Sequence, residues 1–198
     1  MRIEVLLKDL IMQINQDKTS LKAIALFTTN LELRRAKNYD LINLFENYCG
    51  DAYCSRYLMR GRHTSLHQTQ IFLETWCGSA WHIEGKSFAW VIADKYTDQA
   101  IGAFTLIQEN PIMEIHFGIA QHYWGRGLLV EAGMAVITWL ATQYAGRIIC
   151  TMCDRENLRS SRVLEKLGFI RDEQQQKYVV MPECGPEPRC CWVYQRTI

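Results

Sequence analysis

His122-Tyr123-Trp124-Gly125-Arg126-Gly127 separates a run of strand character, residues 112–120, from a strongly helix-prone run, residues 128–142. Glycines at such a junction let the backbone aim several N–H groups, together with the positive end of the helix, at one anionic group. The stretch reads as a phosphate cradle. Further along, Asn157-Leu158-Arg159-Ser160 leads through Val163 and Leu164 to Leu167-Gly168-Phe169, a second ordered signature in fixed relation to the first.

The flanks of the turn set the fold class. Residues 128–141 are apolar nearly all round, with Glu131 as their only charge, so this helix is expected to lie buried against a sheet. Upstream, residues 88–93, 100–107 and 112–120 read as three strands of a meander, joined at Tyr96-Thr97-Asp98 and Glu109-Asn110-Pro111. Downstream come a strand at 148–152 and a helix at 158–167. A final strand pair, 169–181 and 190–197, flanks a loop containing Pro182, Gly185, Pro186 and Pro188. Leu31-Glu32-Leu33-Arg34 alternates as a half-buried strand does. Asp40 starts a helix carrying Leu41, Leu44 and Phe45, and Thr64 or Ser65 caps another with Ile71, Phe72 and Leu73 inside. Strands and helices intermix, which places the chain in the α/β (α+β) class.

At the N-terminus, Ile3, Leu6, Leu7, Leu10, Ile11 and Ile14 gather on one helical face, and residues 17–20 break the pattern. The polar face is not enriched in Lys or Arg. This amphipathic helix is therefore expected to dock on its own domain rather than on a membrane. Residues 1–28 are read as a helical extension and 29–198 as one domain.

Composition excludes several roles. With 22 basic and 21 acidic residues among 198, the chain lacks the electrostatic footprint of a direct nucleic-acid binder. Charges at Arg2, Glu4, Lys8 and Asp9 interrupt any signal-peptide core, and no run reaches the length of a membrane span, so a cytoplasmic location is expected. The eight cysteines lie in or beside apolar segments and read as reduced structural thiols. Cys150 and Cys153 have Cys-x-x-Cys spacing, but in a strand they point to opposite faces, so no metal site is expected.

Taken in order, these segments resemble the GNAT superfamily of acetyltransferases, in particular the branch of ribosomal-protein alanine N-acetyltransferases. The anchors are Leu31-Glu32-Leu33-Arg34, Ile101-Gly102, residues 114–119, Trp124-Gly125-Arg126-Gly127 with Glu131-Ala132, and residues 157–169. His122 stands where the family pattern has Gln or Arg. The resemblance implies a mixed, mostly antiparallel central sheet flanked by helices, and acetyl-CoA as cosubstrate. It also implies a strand before the turn that bulges and parts from its neighbour to open a slot for the pantetheine arm.

The resemblance assigns cofactor contacts to Phe117, Gly118, Ile119, Trp124, Gly125, Arg126, Gly127, Leu128, Leu129, Val130, Asn157 and Ser160. Gly125 and Gly127 let the backbone approach a pyrophosphate, and the N–H groups of residues 124–130 solvate its charge. Phe117, Gly118 and Ile119 offer backbone groups to the pantetheine arm. Glu114 and His116, two apart on one strand, share a face with Gly118, and either can take the proton of an acceptor amine. The family match favours Glu114 as the catalytic carboxylate, against the reading of a partner for a buried cation. Much of the superfamily has a tyrosine seven positions after the asparagine; Leu164 stands there, which leaves Ser160 to hydrogen-bond the CoA sulfur or to serve the helix terminus alone.

The resemblance implies a primary amine as acceptor. An α-amine, with a pKa near 7.7–8.0, demands less of a base than a lysine near 10.4, which favours an α-amine or a small-molecule amine, and the resemblance to the ribosomal-protein branch implies a protein N-terminus. A small amine such as an aminoglycoside, polyamine or amino acid is the alternative, as is a CoA-binding sensor without turnover. Trp76, Trp81, Trp90, Tyr53 and Tyr57 either line the acceptor pocket or belong to the core. A homodimer is compatible with the sequence.

Overall fold

The computed structural model describes residues 21–109 and 112–198. Its eight strands are β1 (Leu26–Phe27), β2 (Leu31–Arg34), β3 (Phe88–Asp94), β4 (Ala100–Glu109), β5 (Ile112–Ile119), β6 (Ile148–Asp154), β7 (Ile170–Val180) and β8 (Pro188–Thr197). They form one sheet in the order β1-β2-β3-β4-β5-β6-β8-β7. All neighbours run antiparallel except β5 and β6, whose parallel pairing requires a crossover. Helix α4 (Leu128–Tyr144) supplies that crossover.

The remaining helices are α1 (Asp40–Leu44), continued by a π-helical turn at Phe45–Cys49, α2 (Ala52–Ser55), α3 (Leu66–Thr75) and α5 (Leu158–Lys166). Two hydrophobic layers enclose the sheet. In one, Phe88, Trp90, Ile92, Phe104 and Ile115 meet Ala132, Val136 and Leu140 of α4 and Leu164 of α5. In the other, Ala89, Val91 and Ala103 meet Leu44, Tyr48 and Leu73. Buried from both sides, β3 is apolar without interruption where a half-exposed strand would alternate.

Several expectations need adjustment. Ser65 is the N-cap of α3 but its side chain makes no capping bond; instead Gln68 Oε1 reaches back to accept Thr64 N–H at 2.6 Å. Leu26–Phe27 pair with β2, and Leu21 is buried beside Trp90, so residues 21–28 join the sheet and core rather than standing apart. The helix expected at residues 1–16 and part of the Glu109-Asn110-Pro111 turn lie outside the described residues. Trp81 and Trp90 are core residues. Their indole N–H groups are bonded to Ala89 O and Ile24 O, both at 2.7 Å, and Trp90 packs edge-on to Phe88 and Trp139. Cys150 and Cys153 do fall on opposite sides of β6: Cys153 is buried against Ser161 of α5, while Cys150 reaches Met113 O. No described helix is long and apolar enough to cross a membrane.

Candidate active site

β5 has two different edges. Against β4 it pairs continuously from Ile112–Glu109 to Ile119–Gly102. Against β6 it pairs only at Met113–Ile149 and Glu114–Cys150, with a last tie from Thr151 Oγ1 to Ile115 O at 2.6 Å. β6 stays paired with β8 along its whole length, and past that tie no described strand pairs with this edge of β5. The strands therefore part, but without a bulge: β5 keeps its register, and the sheet's irregularities lie at Ile92/Ala93 and Asp172/Gln176.

Alternation along β5 decides which backbone groups face the gap. Ile115 O points to β6, so Phe117 and Ile119 point the same way, and Gly118 gives its N–H and C=O to β4. The Cα face of Gly118 is also occupied: a Cβ there would stand 2.6 Å from Tyr48 Oη. The Ile119 carbonyl already accepts the Trp124 indole N–H at 2.8 Å. Phe117 is left with both backbone groups turned to the gap.

The strand then enters the glycine turn. A 3-10 turn at Gln121–Tyr123 is tied back by Gln121 Nε2 to the Asp51 carboxylate at 3.0 and 3.1 Å, and His122 is exposed beside the Tyr123 ring. Trp124 N–H is bonded to Gln121 O, which removes it from the expected cradle. Gly125 and Gly127 both sit at φ +78°, the region that disfavours a side chain, and a Cβ at either would meet nothing within 4 Å. The turn is open space. The first backbone bond of α4 runs from Glu131 N–H to Gly127 O, so the N–H groups of Leu128, Leu129 and Val130 lack helical acceptors. Glu131 also holds the preceding loop, accepting Asn30 N–H at 2.7 Å and Asn30 Nδ2 at 2.9 Å. Arg126 lies over Tyr123 and Arg159 over Trp124, which places two cations beside the turn. Free N–H groups, open space and neighbouring cations fit a pyrophosphate.

Asn157 caps α5, its side chain accepting Ser160 N–H at 3.3 Å. The Asn157 side chain supplies this cap, so the Ser160 hydroxyl is not needed for it. Buried Asp154 fixes the approach to this cap through Arg189, at 2.6 and 3.1 Å, and by accepting Glu156 N–H. Leu164 is enclosed in the core.

On the other face of β5, Glu114 and His116 adjoin each other. Glu114 Oε1 and His116 Nε2 are 3.0 Å apart but out of line for a hydrogen bond, so both atoms are enclosed and unsatisfied. Lys177 Nζ stands 3.6 Å from Glu114 Oε2. Contact with His116, opposed by burial and aided by Lys177, holds the Glu114 carboxyl below its ordinary range. Tyr48 closes the far end over Gly118, its hydroxyl pushed up to about 12 by burial, with Arg60 over its ring. Residues 56–62 meet the Pro182–Cys184 turn through Arg62 N–H to Glu183 Oε1 and Cys184 Sγ to Arg56 O, forming a wall beside this face. Tyr57 stacks between Arg56 and Arg189 in that wall, Tyr53 is exposed, and Trp76 packs on the helical layer.

Lys177, Tyr48 and Arg60 were not singled out in the sequence. Only the register shift in β7 and the π-helical turn bring them to β5. A separate groove of about 790 Å³, lined in part by Lys166, Ile170 and Arg196, lies at the other end of α5 and shares no residue with this site.

A family model for the acetyltransferase (GNAT) domain matches residues 30–170. The chain belongs to the GNAT acetyltransferase family. YjdG of Bacillus subtilis, named as an uncharacterized N-acetyltransferase, is 30% identical over 93 residues, which cover 46% of this chain and 55% of that protein. The chain thus matches about half the length of this relative. Among solved structures, RimL, a ribosomal α-N-protein acetyltransferase in complex with coenzyme A, aligns at TM-score 0.73 and 17% identity, over 88% of this chain and 98% of that one. A ribosomal-protein alanine acetyltransferase from Vibrio fischeri aligns at 0.72 and 15%, over 88% and 97%. These two share its fold.

Proposed function

We propose that the protein transfers an acetyl group from acetyl-CoA to the α-amine of a protein N-terminus by direct attack in a ternary complex. The observation that carries this reading is the parting of β5 from β6 on the strand that runs directly into the open glycine turn. Pyrophosphate would lie on the N–H groups of residues 125–130, with Arg126 and Arg159 nearby, and the pantetheine arm would extend the sheet along Phe117. A thioester seated there faces an amine arriving from the side of Glu114 and His116. Holding the two reactants together supplies much of the rate, and a backbone donor at the gap stabilises the oxyanion.

The Glu114–His116 pair receives the amine proton. Ser160, unneeded for the cap, stabilises the departing thiolate by a hydrogen bond in place of the phenol that Leu164 excludes. An α-amine is favoured over a polycation because Lys177 and Arg60 border the acceptor side. Solved proteins of the same fold that are described as acting on ribosomal proteins support the same choice.

Thiol release from acetyl-CoA, measured with peptide amides of varied first residue and with spermidine and kanamycin, tests the reading. Release with peptides and not with the polycations is expected. Release with the polycations alone would replace the acceptor, and CoA binding without release from any amine would make the chain a CoA sensor.

A further inference from the structure

The geometry of β5 points to His116, rather than Glu114, as the group that takes the proton from the acceptor amine, with Glu114 and Lys177 positioning residues behind it. This rests on the acetyl-transfer reading above. Glu114 lies at the last residue pair shared by β5 and β6, where the strands are still joined. His116 lies past the Thr151–Ile115 tie, in the parted section beside Phe117. Backbone positions two apart on a strand are separated by about 7 Å, so Glu114 is anchored about 14 Å along the strand from Gly118 and His116 only about 7 Å, with the Glu114 carboxylate reaching no further than the His116 ring. A base must come within about 2.6–3.2 Å of its proton or act through one water. Distance along the strand therefore selects His116.

The surroundings of His116 agree. Its Nε2 is enclosed against Glu114 Oε1 at 3.0 Å, which leaves Nδ1 as the ring nitrogen for an incoming group on a side chain that is 24% exposed. Glu114 in turn faces Lys177 from β7 at 3.6 Å and is paired in register with Cys150 of β6. From the helical layer, Tyr48 covers Gly118, and Cys54 Sγ approaches Ile119 O at 3.6 Å. Burial pushes the Tyr48 and Cys54 groups up to about 12, so neither competes as a base near neutral pH. Contact with His116, opposed by burial and aided by Lys177, holds the Glu114 carboxyl below its ordinary range, which makes it a poor proton acceptor near neutral pH.

The step balances. The acceptor enters as an ammonium and gives one proton to His116 Nδ1, and its lone pair forms the N–C bond to the thioester carbonyl. As the C–S bond breaks, the second amine proton ends on the CoA sulfur. The products are the amide, the CoA thiol and one proton that His116 releases to solvent.

The test is the pH dependence of kcat/KM, measured with acetyl-CoA and the peptide amide that turns over fastest, for the wild type, His116→Gln, His116→Asn, Glu114→Gln and Lys177→Gln. Calorimetric titration of CoA and thermal unfolding of each variant accompany it. Both His116 variants should lose the rising limb of the profile and at least about 100-fold in kcat, with CoA affinity within about twofold. Glu114→Gln should keep the limb but move it to lower pH, and Lys177→Gln should move it to higher pH, because each removes one charge beside the same ring. A limb that survives in both folded His116 variants and disappears in Glu114→Gln overturns the assignment. Failure of the wild type to bind CoA, or to release thiol with any amine, overturns the acetyl-transfer reading first and this inference with it.

Discussion

Two polar clusters built from the same kinds of side chain behave oppositely. Around β2, Arg34 is buried and gives both terminal nitrogens to fully buried Asp40 at 2.7 and 2.9 Å. Asp40 also accepts Lys37 N–H at 2.7 Å, and Asp98 receives Arg34, Lys37 and the Tyr39 hydroxyl. The Glu114–His116–Lys177 group instead holds its two enclosed atoms in one contact at 3.0 Å that is not aligned as a hydrogen bond. Buried polar groups are nearly always paired, so a cluster with every partner bonded fastens elements together, and one held by close but unaligned contacts keeps its groups ready to bond elsewhere. The first cluster ties β2, α1 and the β3–β4 turn; the second lies beside the parted section of β5.

The largest effect expected from this contrast is on stability at the first cluster. Asp40→Asn leaves Arg34 buried without its countercharge and should cost about 3–5 kcal/mol in urea unfolding. A loss under about 1 kcal/mol would mean that the pair does not fasten α1 to the sheet. A pH-dependent effect follows at the rim of the same cluster. Bonds from Tyr39 and Lys37, with the Arg34 charge, hold the Asp98 carboxyl down at about 2. That depressed value stabilises the fold fully above the unfolded carboxylate range near 3.9, and the contribution is lost as pH falls through about 2. Asp98→Asn should therefore unfold at a lower temperature than the wild type at pH 7, with the difference closing between about pH 4 and pH 2. A difference that stays constant with pH would remove the ion pairing from the account. The smallest stability effect belongs to the second cluster, where Glu114→Gln should shift unfolding by less than about 1 kcal/mol, because no well-made bond is lost. A larger loss would make Glu114 a fastening residue and weaken the contrast.

Much of this molecule is legible in its sequence because periodicity reports burial. Leu31-Glu32-Leu33-Arg34, the meander from Phe88 onward and the apolar helix after Gly127 all fall where pattern and turn chemistry place them. The open turn is legible too, since Gly-x-Gly between a strand and a helix has few other uses. What pattern misses is arrival from a distance. Tyr48 reaches Gly118 through a π-helical turn that no residue type announces, and Lys177 reaches Glu114 after a register shift in the polar run Asp172-Glu173-Gln174-Gln175-Gln176. Direction along a strand is equally hidden: Gly118 matches the family motif, yet its backbone faces β4 while Phe117 faces the gap. The aromatic set was ambiguous for a plainer reason, since Trp81 and Trp90 spend their N–H groups on core carbonyls.

The central claim is that acetyl-CoA binds across the open glycine turn and the parted edge of β5. Calorimetric titration of CoA into the wild type and Gly125→Asp tests it most directly, because aspartate puts a side chain and a negative charge into space that is empty in the protein itself. One CoA per chain in the wild type, and at least about tenfold weaker binding in a folded variant, is the result the account predicts, a loss of about 1.4 kcal/mol. Equal affinity in the two proteins would contradict it.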